Sequence, residues 1–143
     1  MKGDFSVSGW YTNIVPGCMI LPLIEVNAVR IGFPFGGMLE ISEEGELTGQ
    51  LLDNTGLATI SGKMEDGKLQ FEKKYTTGDF VEQPPVVYVL EIDDEASTDI
   101  DLVFRGGYRF SADQKSDDGH VVMSLGLSIF QTKQLHGCSH GHE

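Results

Sequence analysis

The sequence predicts an all-β protein, a closed antiparallel barrel of about eight strands joined in chain order as a meander. Apolar and polar residues alternate with a period of two along much of the 143-residue chain, and turn-forming dipeptides separate these runs. No long stretch has apolar residues at helical spacing. Closure removes the unpaired edges of an open sheet. Since the connections are short and sequential, a barrel is favoured over a two-sheet sandwich with Greek-key crossovers.

The alternating runs locate the individual strands. In one run, Leu69, Phe71 and Tyr75 share a parity, and in a later run the parity extends from Ile100 to Phe110. The strongest turn signal is Asp66-Gly67, a pair typical of two-residue hairpins in which both residues take positive φ. The predicted strands lie near 4–14, 36–42, 46–53, 57–64, 68–77, 86–93, 99–111 and 120–131.

Domain organisation follows from length and from one unusual connection. The length suits a single domain, which we assign to residues 1–134, followed by a tail over 135–143. Residues 15–35, between the first two strands, are rich in apolar side chains and too long for an ordinary loop. Two interpretations remain open: a plug that completes the core at one end of the barrel, or a lid over a ligand cavity.

Charge and cysteine content limit the classes of partner. The net charge is −12, from 22 acidic and 10 basic residues, so the surface repels phosphate backbones and anionic lipids, and we expect neither nucleic acid nor membrane as a partner. With no secretory signal evident and no apolar run that could span a bilayer, the chain is expected to be cytoplasmic. Cys18 and Cys138 are expected to be free thiols, with a disulfide as the alternative. Homo-oligomerisation is left open.

The first strand carries a family resemblance. Gly9-Trp10-Tyr11, followed by a long connection and a run of hairpins, resembles the calycin superfamily of lipocalins, avidins and related small barrels. The resemblance implies a barrel whose interior can hold a small ligand. Avidin-type biotin binding is not implied, because that site needs several tryptophans and Trp10 is the only one in the chain.

Six residues are candidates for a ligand site inside the barrel. Lys73 shares the parity of its apolar neighbours, so its ammonium group is predicted to point inward, where it would recognise a ligand carboxylate. The alternative is a rim lysine that extends outward to water. Aromatic rings would form the cavity wall, although such rings also fill ordinary cores. The candidate ligand-binding residues are Trp10, Lys73, Tyr75, Tyr88, Phe104 and Tyr108.

Histidines and a cysteine cluster in the tail. Imidazole and thiolate are common ligands of zinc and other divalent transition metals, and the intervening glycines let a chain wrap around an ion. The alternative is adventitious binding by a terminal tract. Elsewhere, His120 is expected to be a solvated turn residue rather than a metal ligand or general base. The candidate metal ligands are His136, Cys138, His140 and His142.

The leading functional hypothesis is non-enzymatic binding of a small apolar or amphipathic ligand inside the barrel, under a lid formed by residues 15–35. The alternatives are a barrel enzyme of isomerase or decarboxylase type, and a solid-packed structural or oligomerising barrel with a metal-binding tail. The sequence contains no nucleophile elbow and no phosphate-binding glycine loop, so an enzyme is the less favoured hypothesis.

Overall fold

The protein is a closed barrel of eight antiparallel strands in meander order. A computed structural model describes residues 2–13 and 33–127. Each strand pairs with its neighbours in the chain, and β1 pairs with β8 to close the barrel. The predicted fold class and strand order are therefore confirmed. The strands are β1 (Gly3–Asn13), β2 (Phe33–Ile41), β3 (Glu46–Asp53), β4 (Leu57–Glu65), β5 (Lys68–Tyr75), β6 (Val86–Ile92), β7 (Asp101–Arg109) and β8 (Gly119–Leu127).

Strand β2 begins earlier than predicted. It was expected from residue 36, but it starts at Phe33 and contains Pro34, which is opposite Trp10 of β1. A proline lacks the N–H group that a sheet ladder uses, yet near the start of a strand this loss is tolerated.

Strand β7 is shorter than predicted. Ile100 and Phe110 were assigned to the same inward-facing run as Phe104, but both lie just outside the strand and are 69% and 54% exposed. The alternation of apolar residues continues past the last paired residues, so it overstates the length of the ladder.

The lower half of the barrel is filled with apolar side chains. This half is the end where β1 starts and β2 finishes, and the upper half is the opposite end, where β1 finishes and β2 starts. Each residue of this packed set is at most 5% exposed. Such burial stabilises the fold by about 1.5 to 3 kcal/mol for each large side chain. The set comprises Phe5, Val7, Leu39, Ile41, Leu47, Leu69, Phe71, Leu90, Phe104, Met123 and Leu125.

Glycines in mid-strand allow neighbouring strands to approach closely. A Cβ atom at Gly62 of β4 would lie 2.0 Å from the carbonyl oxygen of Gln70 and 2.5 Å from the Cα of Phe71, both on β5. Gly49 of β3 is equally crowded, with 2.3 Å to the carbonyl oxygen of Met38. Only a hydrogen fits in these positions, and glycine in a strand often marks a tight bend at a barrel corner.

The hairpin between β4 and β5 has the predicted turn. Asp66 and Gly67 take φ angles of 52° and 76°, and Glu65 pairs with Lys68 across the turn. Positive φ at both central residues is the requirement of a type I′ hairpin.

Among the described residues, no helix is long and apolar enough to cross a membrane.

Candidate ligand-binding site

The upper half of the barrel contains a cavity of about 590 Å³. Inward-facing residues of four strands form its wall, and residues of the neighbouring loops, together with the first residue of β2, form its rim. The volume lies within the range of about 300 to 1,000 Å³ that is usual for small-molecule sites. The wall residues are Tyr11, Lys73, Tyr75, Val86, Tyr88 and Tyr108, and the rim includes Phe33, Asn54, Thr55, Phe80, Gln83, Pro84 and Phe110.

Packed aromatic rings make up most of the wall. The ring of Tyr88 lies 5.6 Å from that of Tyr108, and Tyr11 meets Tyr108 edge-on at 6.1 Å. Below the cavity, Phe71 stacks on Tyr88 with ring centroids 4.8 Å apart. Aromatic pairs at these separations contribute roughly 0.5 to 1.5 kcal/mol beyond their burial. The wall is therefore continuous with the packed lower half.

The charged residue of the wall, Lys73, forms a buried ion pair with Asp53. Lys73 Nζ lies 3.0 Å from Asp53 Oδ2, and the two side chains are 6% and 2% exposed. Asp53 ends β3 and shares the inward parity of Leu47 and Leu51. Asp53 is the last residue of the predicted strand 46–53, but it is not among the predicted ligand residues. Its parity was the signal that could have identified it.

The Asp53 carboxylate accepts four hydrogen bonds. Oδ2 accepts from Lys73 and from the Tyr75 hydroxyl at 2.6 Å, and Oδ1 accepts from the backbone N–H groups of Thr55 at 2.7 Å and Gly56 at 3.2 Å. Burial acts to raise the pKa of Asp53, but the hydrogen bond from Tyr75 and the charge of Lys73 outweigh it, so the pKa is lowered. The carboxylate is therefore ionised at neutral pH.

The Lys73 ammonium lies among tyrosine rings. Its Nζ is 4.7 Å from the ring centroid of Tyr75, 5.0 Å from that of Tyr88 and 5.8 Å from that of Tyr11. These are distances at which a cation is attracted to the ring face. Burial lowers the pKa of Lys73, and the neighbouring Asp53 carboxylate opposes that change without cancelling it.

The tyrosine hydroxyls remain protonated at neutral pH. Burial is the first cause in each case: it raises the pKa of Tyr11, Tyr75 and Tyr88, and it raises the pKa of Tyr108 to about 12. The negative charge of Asp53 further raises the pKa of Tyr11, Tyr75 and Tyr88. The hydroxyl of Tyr11 donates to Asn54 Oδ1 on the rim.

The loop between β5 and β6 is held against the rim by Lys74. Its Nζ donates to the carbonyl oxygen of Val81 at 2.7 Å and to that of Gln83. The loop carries Phe80, whose ring lies 6.1 Å from that of Tyr75. Lys74, which faces outward, thus holds this part of the rim in place, while its neighbour Lys73 faces into the cavity.

The structure brings together four of the six predicted ligand residues: Lys73, Tyr75, Tyr88 and Tyr108 line the cavity. Trp10 does not line it, because the inward positions of β1 are odd-numbered, and the residue is 38% exposed. Tyr11 takes the place expected of Trp10, and the same parity could have identified it. Phe104 is completely buried in the lower half, away from the cavity wall.

The predicted metal ligands are not part of this site. His136, Cys138, His140 and His142 lie outside the described residues, as do Cys18 and most of the predicted lid over 15–35. His120 lies in β8 and is exposed, in line with the solvated role that was favoured for it. Within residues 2–13 and 33–127, no group of three or more histidine, cysteine, aspartate or glutamate residues is placed to hold a metal ion.

Comparisons with protein-family models, with curated protein sequences and with solved structures found no match. The geometry of the cavity and the chemistry of its walls are therefore the observations that bear on function.

Proposed function

We propose that the protein is a calycin-like carrier that binds a small, largely apolar ligand in the upper half of the barrel and does not convert it. The cavity of about 590 Å³ carries this proposal, because it combines aromatic walls with a small number of polar groups. That combination is typical of small-molecule sites, in which apolar area supplies affinity and a few polar groups fix orientation.

The contrast between the two halves of the barrel supports a carrier over a structural barrel. In the lower half, apolar side chains fill the interior, as is usual for protein cores. In the upper half, the described wall residues, which are four tyrosines with Lys73 and Val86, surround a space instead of filling it. A barrel with a purely structural role has no need of the second arrangement.

The proposal can be tested with the neutral fluorescent dye N-phenyl-1-naphthylamine, which emits strongly in apolar surroundings. We expect saturable binding at one site. Val86 lines the cavity, so in Val86→Trp the added indole occupies ligand space and should weaken dye binding by about ten-fold or more. Titration by fluorescence, with excitation beyond the tryptophan band, measures the effect.

The matched control is Ile100→Trp, which introduces the same side chain at a position that is 69% exposed and outside the barrel wall. It should bind the dye like the wild type. Unchanged dye binding by a Val86→Trp protein with native circular dichroism would contradict the proposal.

A second candidate, an enzyme of isomerase or decarboxylase type, is favoured by one observation. Lys73 and Tyr75 line the cavity, both contact the Asp53 carboxylate, and such clusters of titratable groups occur at catalytic sites. An enzyme that used Lys73 as a base would need its ammonium to lose a proton near neutral pH. Titration of Nζ by nuclear magnetic resonance distinguishes the two: an ammonium protonated throughout the neutral range supports the carrier.

A further inference from the structure

The Lys73 ammonium has donor capacity that the described residues do not use. It carries three N–H groups, and within the described part of the chain its hydrogen-bond acceptor is Asp53 Oδ2 at 3.0 Å. The other close neighbours are the faces of Tyr75, Tyr88 and Tyr11. Since Lys73 also lines the cavity, a bound molecule with an oxygen acceptor can reach the remaining N–H groups.

The Asp53 carboxylate, in contrast, has no acceptor capacity left. A carboxylate offers about four lone-pair sites, and Lys73, Tyr75, Thr55 and Gly56 occupy four. A ligand ammonium group would therefore find no acceptor at Asp53, and it would be repelled by Lys73. Amine ligands are disfavoured at this wall.

A ligand carboxylate is disfavoured for a different reason. Asp53 already supplies the counter-charge of Lys73, and the pair is buried with zero net charge. A second carboxylate on the same ammonium would bring two anions close together and leave a net negative charge in a site largely removed from water. Both effects oppose binding, because charge is costly to bury unless it is paired.

We infer that the ligand of this cavity is an uncharged amphiphile that presents a neutral oxygen acceptor, the oxygen of an alcohol, ester, ketone or amide, to Lys73. This inference rests on the proposed carrier function and replaces the sequence-based expectation of a ligand carboxylate. A neutral oxygen accepts a charge-assisted hydrogen bond from the ammonium without adding charge to the site. Its apolar part then lies against the tyrosine wall.

The test compares three compounds with the same ten-carbon chain: decanol, decanoate and decylamine. Each compound is titrated against N-phenyl-1-naphthylamine bound to the wild-type protein at neutral pH, and loss of dye fluorescence measures displacement. We expect decanol to displace the dye at a concentration about ten-fold or more below that of either charged compound. Equal or better displacement by decanoate or decylamine overturns the inference while leaving the carrier function intact.

The variant Asp53→Asn adds a second, independent measurement. It keeps an oxygen for the turn at Thr55 but leaves Lys73 without a counter-charge, so decanoate should now bind more tightly than decanol. In the double variant Asp53→Asn with Lys73→Met, both charges are absent and the preference for decanoate should disappear. If a folded Asp53→Asn protein still binds decanol more tightly than decanoate, the inference is overturned. If that variant does not fold, the displacement measurements with the three compounds on the wild-type protein decide the question.

Failure of the carrier function gives a different result. In that case neither the dye nor any of the three amphiphiles would bind saturably to the wild-type protein, and the inference would fall together with the function on which it rests.

Discussion

Asp53 links the end of a strand to the cavity through its two carboxylate oxygens. Oδ1 accepts from the backbone of the turn that follows β3, and Oδ2 accepts from Lys73 and Tyr75 of β5. The side chain therefore fixes the turn, the buried cation and one tyrosine hydroxyl relative to one another. Breaking a buried ion pair by removing one partner is costly, because the other charge is left uncompensated.

We expect Asp53→Asn to lower the free energy of unfolding by about 3 to 5 kcal/mol at neutral pH. The double variant with Lys73→Met should recover most of that loss, because methionine fills similar space without a charge. Urea unfolding followed by circular dichroism measures both. A loss below about 1 kcal/mol for Asp53→Asn would show that the pair is not buried as described.

Part of the candidate site could be predicted from the sequence, and part of it could not. The inward orientation of Lys73 followed from parity and is confirmed by its burial. Its partner did not follow, because β3 and β5 are separated by β4 and their contact depends on the curvature of the closed barrel. Alternation indicates which face of a strand a residue occupies, but not which residue it meets across the lumen.

Glycines in mid-strand allow neighbouring strands of the barrel to approach closely. Gly62 on β4 lies where any Cβ would overlap the backbone of β5. Alternating apolar residues predicted where most strands lie, but they said nothing about where the hydrogen-bonded ladder ends. For that reason the predicted β7 extends too far, to Ile100 and Phe110, and the predicted β2 starts three residues after the ladder begins at Phe33.

We expect Gly62→Ala to lower the free energy of unfolding by about 1 to 3 kcal/mol or more, because β4 and β5 must move apart. Gly126→Ala is the matched control, since its added Cβ would lie 3.3 Å from the hydroxyl of Ser6, a side chain that can rotate away. Thermal and urea unfolding compare the two. Equal stability of both variants would contradict the close approach at Gly62.

The buried tyrosines make the stability of the whole protein depend on pH in the alkaline range. The pKa values of Tyr11, Tyr75, Tyr88 and Tyr108 are all raised above the ordinary value of 10.0. Above that pH the folded protein binds more protons than the unfolded chain, so stability falls as pH rises. The lowered pKa of Lys73 makes the free energy of unfolding rise with pH. This rise ends near pH 10.5, the ordinary pKa of a lysine.

We therefore expect the free energy of unfolding to decline as pH rises above about 10, and to be unaffected by these four tyrosines well below it. The variant Tyr75→Phe, which removes one of the raised groups, should show a shallower decline. Urea unfolding on both sides of pH 10 measures the slope. A stability that stays constant through this range would contradict the burial of the tyrosine hydroxyls.

The division of the barrel into a packed half and a hollow half has an evolutionary consequence. Substitutions at Val86, Tyr88 or Tyr108 change the walls of the hollow half, while the apolar side chains at the other end continue to hold the strands together. Under the proposed carrier function, selection at these three positions would change the ligand preference while the packed lower half retains its own core. Since all three residues are themselves buried, substitutions of similar volume are the ones that the fold would tolerate best.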